Sequence, residues 1–215
     1  MESIIIFKKM ECDFMEIKPM IFNIEQLMEK ANNGDKLSCY IIARSYDSSE
    51  NGLEQDLKKA VEWYKKGAEL KDPKCIYGLA ACYQFGDGVE QDKDKAYQLF
   101  VNAYDKLLQE IEETKENPKV QAFSKFCLGA YYYFGFGDVK QDYKMAFQLI
   151  NECAMQGHLA AIYDLGANFY REGRGTEQNI ELADYYLELA ASVGLPRAIK
   201  KLEDVQNSNE KGVRK

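Results

Sequence analysis

The stretch GVEQDKDKAYQLF at 88–100 decides the fold, because close copies of it recur along the chain. The other copies read GLEQDLKKAVEWY at 52–64, DVKQDYKMAFQLI at 138–150 and GTEQNIELADYYL at 175–187. The fifth residue of each is Asp or Asn, a strong N-cap whose side-chain oxygen accepts an unpaired N–H of the first helical turn. These N-caps lie 36, 50 and 37 residues apart, at Asp56, Asp92, Asp142 and Asn179. A period of about 36 residues is typical of helix–turn–helix repeats.

Each predicted helix carries two positions that we expect to be buried. Alanine stands four residues after every N-cap, and such a small side chain predicts that helix axes approach closely there. These alanines are Ala60, Ala96, Ala146 and Ala183. A large residue follows three positions later, on the same face of the helix. These large residues are Trp63, Leu99, Leu149 and Tyr186.

A second pattern precedes each of these helices and predicts the first helix of the repeat. It reads YGLAACYQFGDGV at 77–89, FCLGAYYYFGFGDV at 126–139 and YDLGANFYREGRGT at 163–176. Leucine is followed by a small residue, and an aromatic residue comes four positions after the leucine, on the same face. The closing glycines predict a turn, because glycine reaches positive φ without steric cost.

The combined pattern LG-x-x-Y…G-x-G-V-x-Q-D-x-x-K-A resembles that of the Sel1-like repeat family, which is related to the tetratricopeptide repeats. The resemblance covers about residues 23–206 and implies an all-α fold. The expected architecture is an α/α solenoid, or superhelix, of four Sel1-like helix–turn–helix repeats with capping helices. Repeat one departs from the pattern, since serines and Glu50 replace its first turn glycine.

The repeat pattern also predicts the organisation of the chain. Residues 1–22 form a poorly defined N-terminal segment, in which Met10, Met15 and Met20 are each possible start sites. The solenoid at 23–206 contains repeats at about 35–71, 72–116, 118–157 and 158–194 and a capping helix at 196–206. An acidic insertion at about 105–117 is expected to continue the second helix of repeat two past Leu108 and to project from the stack. The polar tail at 207–215 is expected to be disordered.

Composition and charge exclude several classes of function. The 35 acidic and 28 basic residues give a net charge of −7, which disfavours contact with nucleic-acid phosphates. No apolar run is long enough to span a bilayer. The short apolar stretch at 4–7 is followed by lysines rather than preceded by them, unlike a signal peptide. The sequence therefore predicts a cytoplasmic protein with no membrane and no nucleic-acid partner.

The chain offers little for catalysis or cofactor binding. Its single histidine, His158, follows Gly157 in a turn and has no orienting partner that the sequence identifies, so we interpret it as a surface or turn residue. The glycine clusters at 86–88 and 135–138 lack the further residues of a phosphate loop or a calcium-binding loop. We therefore expect no catalytic, cofactor-binding or metal-binding residue, and no enzymatic activity.

One column of aromatic residues in the first helices suggests a binding site. Tyr40, Tyr77, Phe126 and Tyr163 stand two residues before the leucine position, which faces the concave groove in tetratricopeptide repeats. The alternative is that these rings are stacking residues that neighbouring repeats shield from solvent. The resemblance implies a non-catalytic scaffold or adaptor that binds a protein or peptide partner in this groove. The predicted groove residues are Tyr40, Arg44, Tyr77, Ala81, Gln84, Phe126, Tyr133, Tyr163 and Ala167.

The acidic insertion supports an alternative function. An immunity-type or inhibitor-type protein would block a partner enzyme by docking its acidic surface on a basic active site. The residues that would serve this function are Glu110, Glu112, Glu113 and Glu116.

The cysteines generate the first testable prediction. Six are present, at 12, 39, 75, 82, 127 and 153, and none forms a CxxC pair. Cys75 and Cys82 share a predicted helix but lie about two turns apart, too far to form a disulfide within it. We expect all six thiols to be reduced, so thiol counting under denaturing, non-reducing conditions should find six. A count of four would reveal a disulfide.

Overall fold

The computed structural model describes residues 17–213, with side chains described as far as residue 207. Within these residues the chain forms helices and no strand, so the predicted all-helical repeat fold is confirmed. Ten α-helices follow one another: α1 (Ile24–Asn32), α2 (Lys36–Ser48), α3 (Leu57–Glu69), α4 (Pro73–Phe85), α5 (Lys93–Glu113), α6 (Pro118–Phe134), α7 (Tyr143–Met155), α8 (Leu159–Asp164), α9 (Ile180–Ser192) and α10 (Pro196–Val213). A π-helical segment, Leu165–Tyr170, continues α8.

The helices pair as the repeats predict. In repeats one to three the first helix packs on the second, as α2 on α3, α4 on α5 and α6 on α7. In repeat four, α8 and its π-helical continuation pack on α9. Helices α1 and α10 pack at the two ends of the array, on α2 and α9.

The four predicted N-caps begin the second helices. Asp56 and Asp92 accept the amide hydrogen of the residue three positions later at 3.0 and 2.9 Å. Asp142 and Asn179 do so at 3.0 Å each. These bonds satisfy amides that have no partner within the helix, which is why the helices start where the repeated motif places its Asp or Asn.

The turn glycines hold successive repeats together. Gly86 ends α4 in the left-handed conformation, with φ of 81°. Gly88, two residues later, lies so close to the carbonyl group of Leu57 that a β-carbon would collide with it. Gly175 contacts the carbonyl group of Tyr143 in the same way. The turn inside one repeat thus rests on the start of the second helix of the preceding repeat.

The conserved alanine position of the motif lies at the helix crossings, as predicted. Ala60, Ala96, Ala146 and Ala183 are each at most 1% exposed. The large residue three positions later is fully buried only at Tyr186, whereas its three counterparts are half-buried. The residue four positions after the alanine is buried in every repeat. These buried residues are Tyr64, Phe100, Ile150 and Leu187, with exposures of 2, 1, 3 and 0%.

The insertion lengthens α5 to 21 residues, which carries it past Leu108, but the helix does not project from the stack. The Glu110 carboxylate accepts hydrogen bonds from Lys74 Nζ at 2.6 Å and from Ser124 Oγ at 2.5 Å. Lys74 also pairs with Asp72 at 2.9 Å. Because Lys74 and Asp72 are 2% and 1% exposed, this ion cluster pins the long helix to the starts of α4 and α6.

The two ends of the chain differ from the predictions. Helix α10 continues to Val213, beyond the predicted end at 206 and into the segment expected to be disordered. Residues 207–213 contain no proline, and each further helical residue adds a backbone hydrogen bond. At the other end, residues 17–22 form neither helix nor strand and pack against the repeats. Cys12, Met10 and Met15 lie outside the described residues.

Five of the cysteines fall within the described residues, and all five are free and buried. They are Cys39, Cys75, Cys82, Cys127 and Cys153. Cys75 fills the space beside Gly67, where a β-carbon on the glycine would collide with its sulfur atom. Burial raises the pKa of Cys82 and of Cys127 to about 12, so both side chains pack as neutral thiols.

The alanine crossings generate a prediction of stability. Ala96→Leu and Ala146→Leu would each force extra methyl groups into a filled helix crossing, which typically costs about 1–3 kcal/mol. Gln98→Leu and Gln148→Leu are matched controls, because they place the same side chain on exposed positions of the same helices. We expect thermal denaturation to show a lower Tm for the alanine variants only. Equal melting of all four would contradict close helix approach.

Candidate functional site

The inner face of the solenoid winds so tightly that distant repeats touch. The Tyr40 ring of repeat one stands edge-on to Phe123 of repeat three at 6.2 Å, and its hydroxyl lies 3.5 Å from the Cys127 sulfur. Farther along, Glu50 forms an ion pair of 3.4 Å with Arg197 of α10, 147 residues away in the sequence. The first repeat therefore contacts both the third repeat and the closing helix.

This winding buries part of the predicted groove. Tyr40, Phe126 and Ala167 are 1, 7 and 2% exposed, so these three residues do not offer a surface to a partner. Tyr77 is half-buried, with its ring 5.5 Å from that of Tyr131. Tyr163 is half-buried beneath the guanidinium of Arg197, 4.4 Å from its ring. The structure thus favours the stacking interpretation for most of the aromatic column.

Arg44, another predicted groove residue, belongs to a network of ion pairs. Its guanidinium binds Asp47 at 3.0 Å and Glu50 at 3.4 Å and lies 5.5 Å above the Phe126 ring. Glu50 is thus shared between Arg44 and Arg197. Because both cations already have carboxylate partners, this network fixes the repeats and leaves little charge for a ligand.

The open part of the inner face lies at the ends of α4 and α6. Phe85 and Phe134 are each 52% exposed, and their rings lie 6.2 Å apart. Both pack on Phe136, which is itself buried against Phe100 at 4.1 Å. The half-buried predicted residue Ala81 lies one turn before Phe85 on the same face of α4, and the adjacent Gln84 is also half-buried.

A cleft of about 80 Å³ opens beside Phe134. We call it the aromatic cleft. It is lined by Ala130, Tyr133, Phe134, Asp164, Asn168 and Phe169, among others. Tyr133 is held in place because its hydroxyl accepts a hydrogen bond from Arg174, whose guanidinium also lies 5.4 Å from the Tyr133 ring. The cleft therefore combines a small-residue floor, rigid aromatic walls and a polar end.

The polar end of the aromatic cleft arises from the π-helical segment. If repeat four were α-helical throughout, Ala167 would occupy the position that Ala130 has in repeat three, as we predicted. The π-helical turn changes the register, so that Ala167 is buried and Asn168 lines the cleft. The Asn168 side-chain amide donates to Asp164 at 3.1 Å, and burial raises the pKa of Asp164 above its ordinary value. Such turns frequently mark functional sites.

The sequence reasoning did not select Phe85, Phe134, Asp164 or Asn168. A signal for the two phenylalanines is present, since each is the last helical residue before a turn glycine, where Ser48 and Arg171 stand in the other repeats. An aromatic residue at an exposed helix end is unusual enough to indicate a binding surface. No sequence signal distinguishes the π-helical turn.

The acidic residues of the insertion do not form one surface. Glu110 is bound to Lys74 and Ser124 within the stack. Glu112 is exposed and pairs with Lys115 at 2.6 Å. Glu113 is exposed and accepts a hydrogen bond from Gln109, and Glu116 is also exposed. Three of the four predicted glutamates are thus accessible to a partner.

His158 is a buried N-cap rather than the surface or turn residue that we expected. It is 5% exposed, its Nδ1 accepts the Ala161 amide hydrogen at 3.3 Å, and its ring stacks on Phe126 at 4.4 Å. Burial lowers its pKa to about 3, and the nearby Arg44 and Arg197 act in the same direction. The N-caps of the other first helices, Asp35, Asp72 and Asn117, occupy the same place in their repeats.

Within the part of the chain that the structure describes, no group of three or more His, Cys, Asp or Glu side chains is arranged to hold a metal ion. None of the described helices combines the length and the apolar character that crossing a membrane requires.

Neutral His158 generates a prediction of pH dependence. The folded protein takes up this proton only near pH 3, whereas the unfolded chain takes it up near the ordinary pKa of 6.5. Between these values the unfolded state binds more protons, so stability falls as the pH drops, by at most about 1.4 kcal/mol per pH unit from this group. His158→Asn retains a capping oxygen and removes the titration.

We therefore expect the unfolding free energy of His158→Asn to decline less steeply than that of the wild type between about pH 6 and pH 4. Urea denaturation at a series of pH values measures both slopes. Above pH 7 the difference between the two proteins should be constant. Equal slopes in the acidic range would contradict a buried neutral histidine.

Comparison with known proteins places this geometry in a family. The Sel1 repeat model matches the chain at residues 37–72, 73–106, 126–158 and 159–195, which together make up more than half of it. Chitin synthase regulatory factor 2 of Schizosaccharomyces pombe is 28% identical over 137 residues. That match covers 62% of this chain and 24% of the relative, so the chain spans about a quarter of that protein's length.

Similar solved structures include a Sel1 repeat protein from Oxalobacter formigenes, with 26% identity and a TM-score of 0.41 over 82% of this chain and 72% of that one. An immunity protein from Pseudomonas aeruginosa is 19% identical, with a TM-score of 0.32 over 86% of this chain and 82% of that one. The family model matches the four repeats, which carry the N-caps, the buried alanines and the turn glycines. This chain belongs to the Sel1 repeat family.

Proposed function

We propose that the protein is a non-catalytic adaptor that binds a protein or peptide partner at the aromatic cleft. Sel1 repeat proteins generally mediate protein–protein interaction. The observation that carries the proposal is the adjacent pair Phe85 and Phe134, each half exposed and packed on Phe136, with Phe134 lining the cleft. Two adjacent exposed phenylalanines cost solubility unless a partner covers them.

The geometry suits an apolar side chain of a partner. Gly129 and Ala130 keep the floor of the cleft low, and Phe134 and Phe169 form its walls. Phe134 is stacked on Phe136 at 5.0 Å, so little side-chain entropy is lost when a partner contacts it. Rigid aromatic anchors of this kind dominate the energetics of many interfaces.

The polar end of the cleft favours a hydrogen-bond donor beside that apolar side chain. Asp164 carries a carboxylate with a single side-chain hydrogen bond, from Asn168. A backbone amide or a basic side chain of the partner would supply a second donor. The net charge of −7 would assist the approach of a partner with basic flanks.

The relatives support a binding role of this kind. One relative, 28% identical over 137 residues, is by its name a regulatory factor of chitin synthase. We extend to this chain only the role of binding another protein. Affinity capture from the native cell would identify the partner.

The test compares partner affinity among variants of exposed residues. Phe85→Ala combined with Phe134→Ala removes both rings and, because both are half exposed, should leave the Tm close to that of the wild type. We expect the captured partner to bind at least about tenfold more weakly, corresponding to at least about 1.4 kcal/mol. Calorimetry or biolayer interferometry with the purified partner provides the measurement.

Matched controls use exposed apolar residues elsewhere. Leu108 is 42% exposed and Ile180 is 44% exposed, so Leu108→Ala and Ile180→Ala delete similar apolar surface far from the cleft. Both should retain wild-type affinity. Equal affinity in the double phenylalanine variant and in these controls would show that the aromatic cleft is not the site.

The acidic insertion provides the alternative function. Charge reversal at Glu112 and Glu113, which are exposed, should leave partner affinity unchanged if the cleft is the site. Loss of binding in this variant, together with full binding in the phenylalanine variant, would assign an immunity-type or inhibitor-type function to the insertion. Glu110 is unsuitable for this test, because its substitution would leave Lys74 buried without that partner.

A further inference from the structure

Residues 17–22 precede α1, form neither helix nor strand, and pack against the repeats; we call this segment the strap. Ile17 is 8% exposed within the apolar cluster that contains Phe126 and Leu159. The Phe22 ring lies 6.1 Å from that of Phe123. Ile21, by contrast, is 53% exposed. The strap therefore packs apolar side chains against repeats three and four, while Lys18 and Ile21 are exposed.

Two backbone amides fix the strap in place. The Met20 amide donates to the Gly157 carbonyl at 2.7 Å, and the Phe22 amide donates to Asn51 Oδ1 at 2.9 Å. Gly157, with φ of 83°, lies so close to the carbonyl group of Lys18 that a β-carbon would collide with it. The α7–α8 turn thus approaches the strap at a distance that only glycine permits.

The atypical turn of repeat one forms the other half of the binding site. Ser49 and Asn51 have φ of 55° and 53°, a conformation rarely adopted by residues other than glycine. The Asn51 side-chain amide donates to Ser45 Oγ at 2.8 Å, which aims Oδ1 at the Phe22 amide. Repeat one departs from the family pattern at this turn. The departure is explained if the turn serves to hold the strap.

The strap fills its groove almost completely. The space that remains between Met20, Phe22 and the walls is about 20 Å³. Those walls include Tyr40, Arg44, Phe123 and His158, which come from α2, α6 and the start of α8. They also include residues of the predicted groove, so the strap occupies the part of the inner face that the sequence assigned to a partner.

We propose that the strap is an intramolecular ligand and that an extended apolar segment of a partner displaces it. The groove selects apolar side chains at the first, fourth and sixth positions of a six-residue segment, as at Ile17, Met20 and Phe22. It also requires free amides at the fourth and sixth positions, which excludes proline there. This site is separate from the aromatic cleft, and the proposal does not depend on the function proposed above.

The strap is suited to exchange because few bonds hold it. Met20 and Phe22 contribute one amide hydrogen bond each, whereas every helix keeps its own internal ladder of hydrogen bonds. A segment that no hydrogen-bond ladder ties to the repeats can detach without breaking a helix, and such a segment opens at lower free energy than the core. While bound, the strap has the advantage of an intramolecular ligand, with an effective concentration of about millimolar. A partner must therefore bind the groove more favourably than the strap does at this effective concentration.

Hydrogen exchange of the wild-type protein provides the first test. The amides of Met20 and Phe22 should be protected, yet they should exchange at least about tenfold faster than the core amides of α6, since strap release leaves the solenoid folded. Exchange of these two amides at the same rate as the α6 core would show that the strap leaves only on global unfolding. That result would overturn the proposal without any variant.

The second test adds the strap sequence in trans. The probe is a fluorescent peptide of residues 15–24, and the released variant combines Ile17→Ser, Met20→Ser and Phe22→Ser in the full chain. We expect the released variant to bind the peptide at least about tenfold more tightly than the wild type does, because its own strap no longer competes. Ile21→Ser, at an exposed strap position, should behave as the wild type.

Two controls define the site. A peptide with serine at the three apolar positions should not bind, and Gly157→Ala in the released variant should abolish binding, because its β-carbon would occupy the place of the strap carbonyl. A released variant that keeps its helical circular dichroism but fails to bind the peptide would overturn the proposal. So would a released variant that unfolds, since the strap would then be part of the core.

Discussion

The superhelix depends on backbone-to-backbone contact between successive repeats. Gly88 and Gly175 bring the turns of repeats two and four against a carbonyl group at the start of the preceding second helix, closer than any residue with a β-carbon allows. The alanines at the helix crossings, each at most 1% exposed, also let the helices approach closely. Small residues at both places set a steep rotation between repeats, and this rotation brings Tyr40 to Phe123 and Glu50 to Arg197.

Much of this architecture was predictable, because its signals are local. The N-cap oxygens of Asp56, Asp92, Asp142 and Asn179 act within one helical turn, and the turn glycines report a backbone conformation, so both can be identified from the residues alone. The capping role of His158 was also available from its place in the repeat, where the other first helices have Asp or Asn. The local pattern does not report the overall superhelical rotation, because that rotation is the sum of small rotations over several repeats.

The binding surface was less predictable for that reason. Whether an inward-facing residue such as Tyr40 lines a groove or a core depends on how far the array turns. Here the turn is steep enough to bury Tyr40 and Phe126, while Phe85 and Phe134 remain exposed at the helix ends. The register change at Leu165–Tyr170 and the packing of residues 17–22 are likewise products of tertiary structure that no single repeat records.

The ion pair between Glu50 and Arg197 has a consequence for how such a protein can evolve. An open solenoid grows by duplication of a repeat, since each unit needs only its neighbours. Here the first repeat and the closing helix recognise each other, so an added repeat would carry Arg197 away from Glu50 and leave a mostly buried carboxylate with one cation fewer. Insertion of a repeat between these two residues would therefore break a contact that joins the first repeat to helix α10.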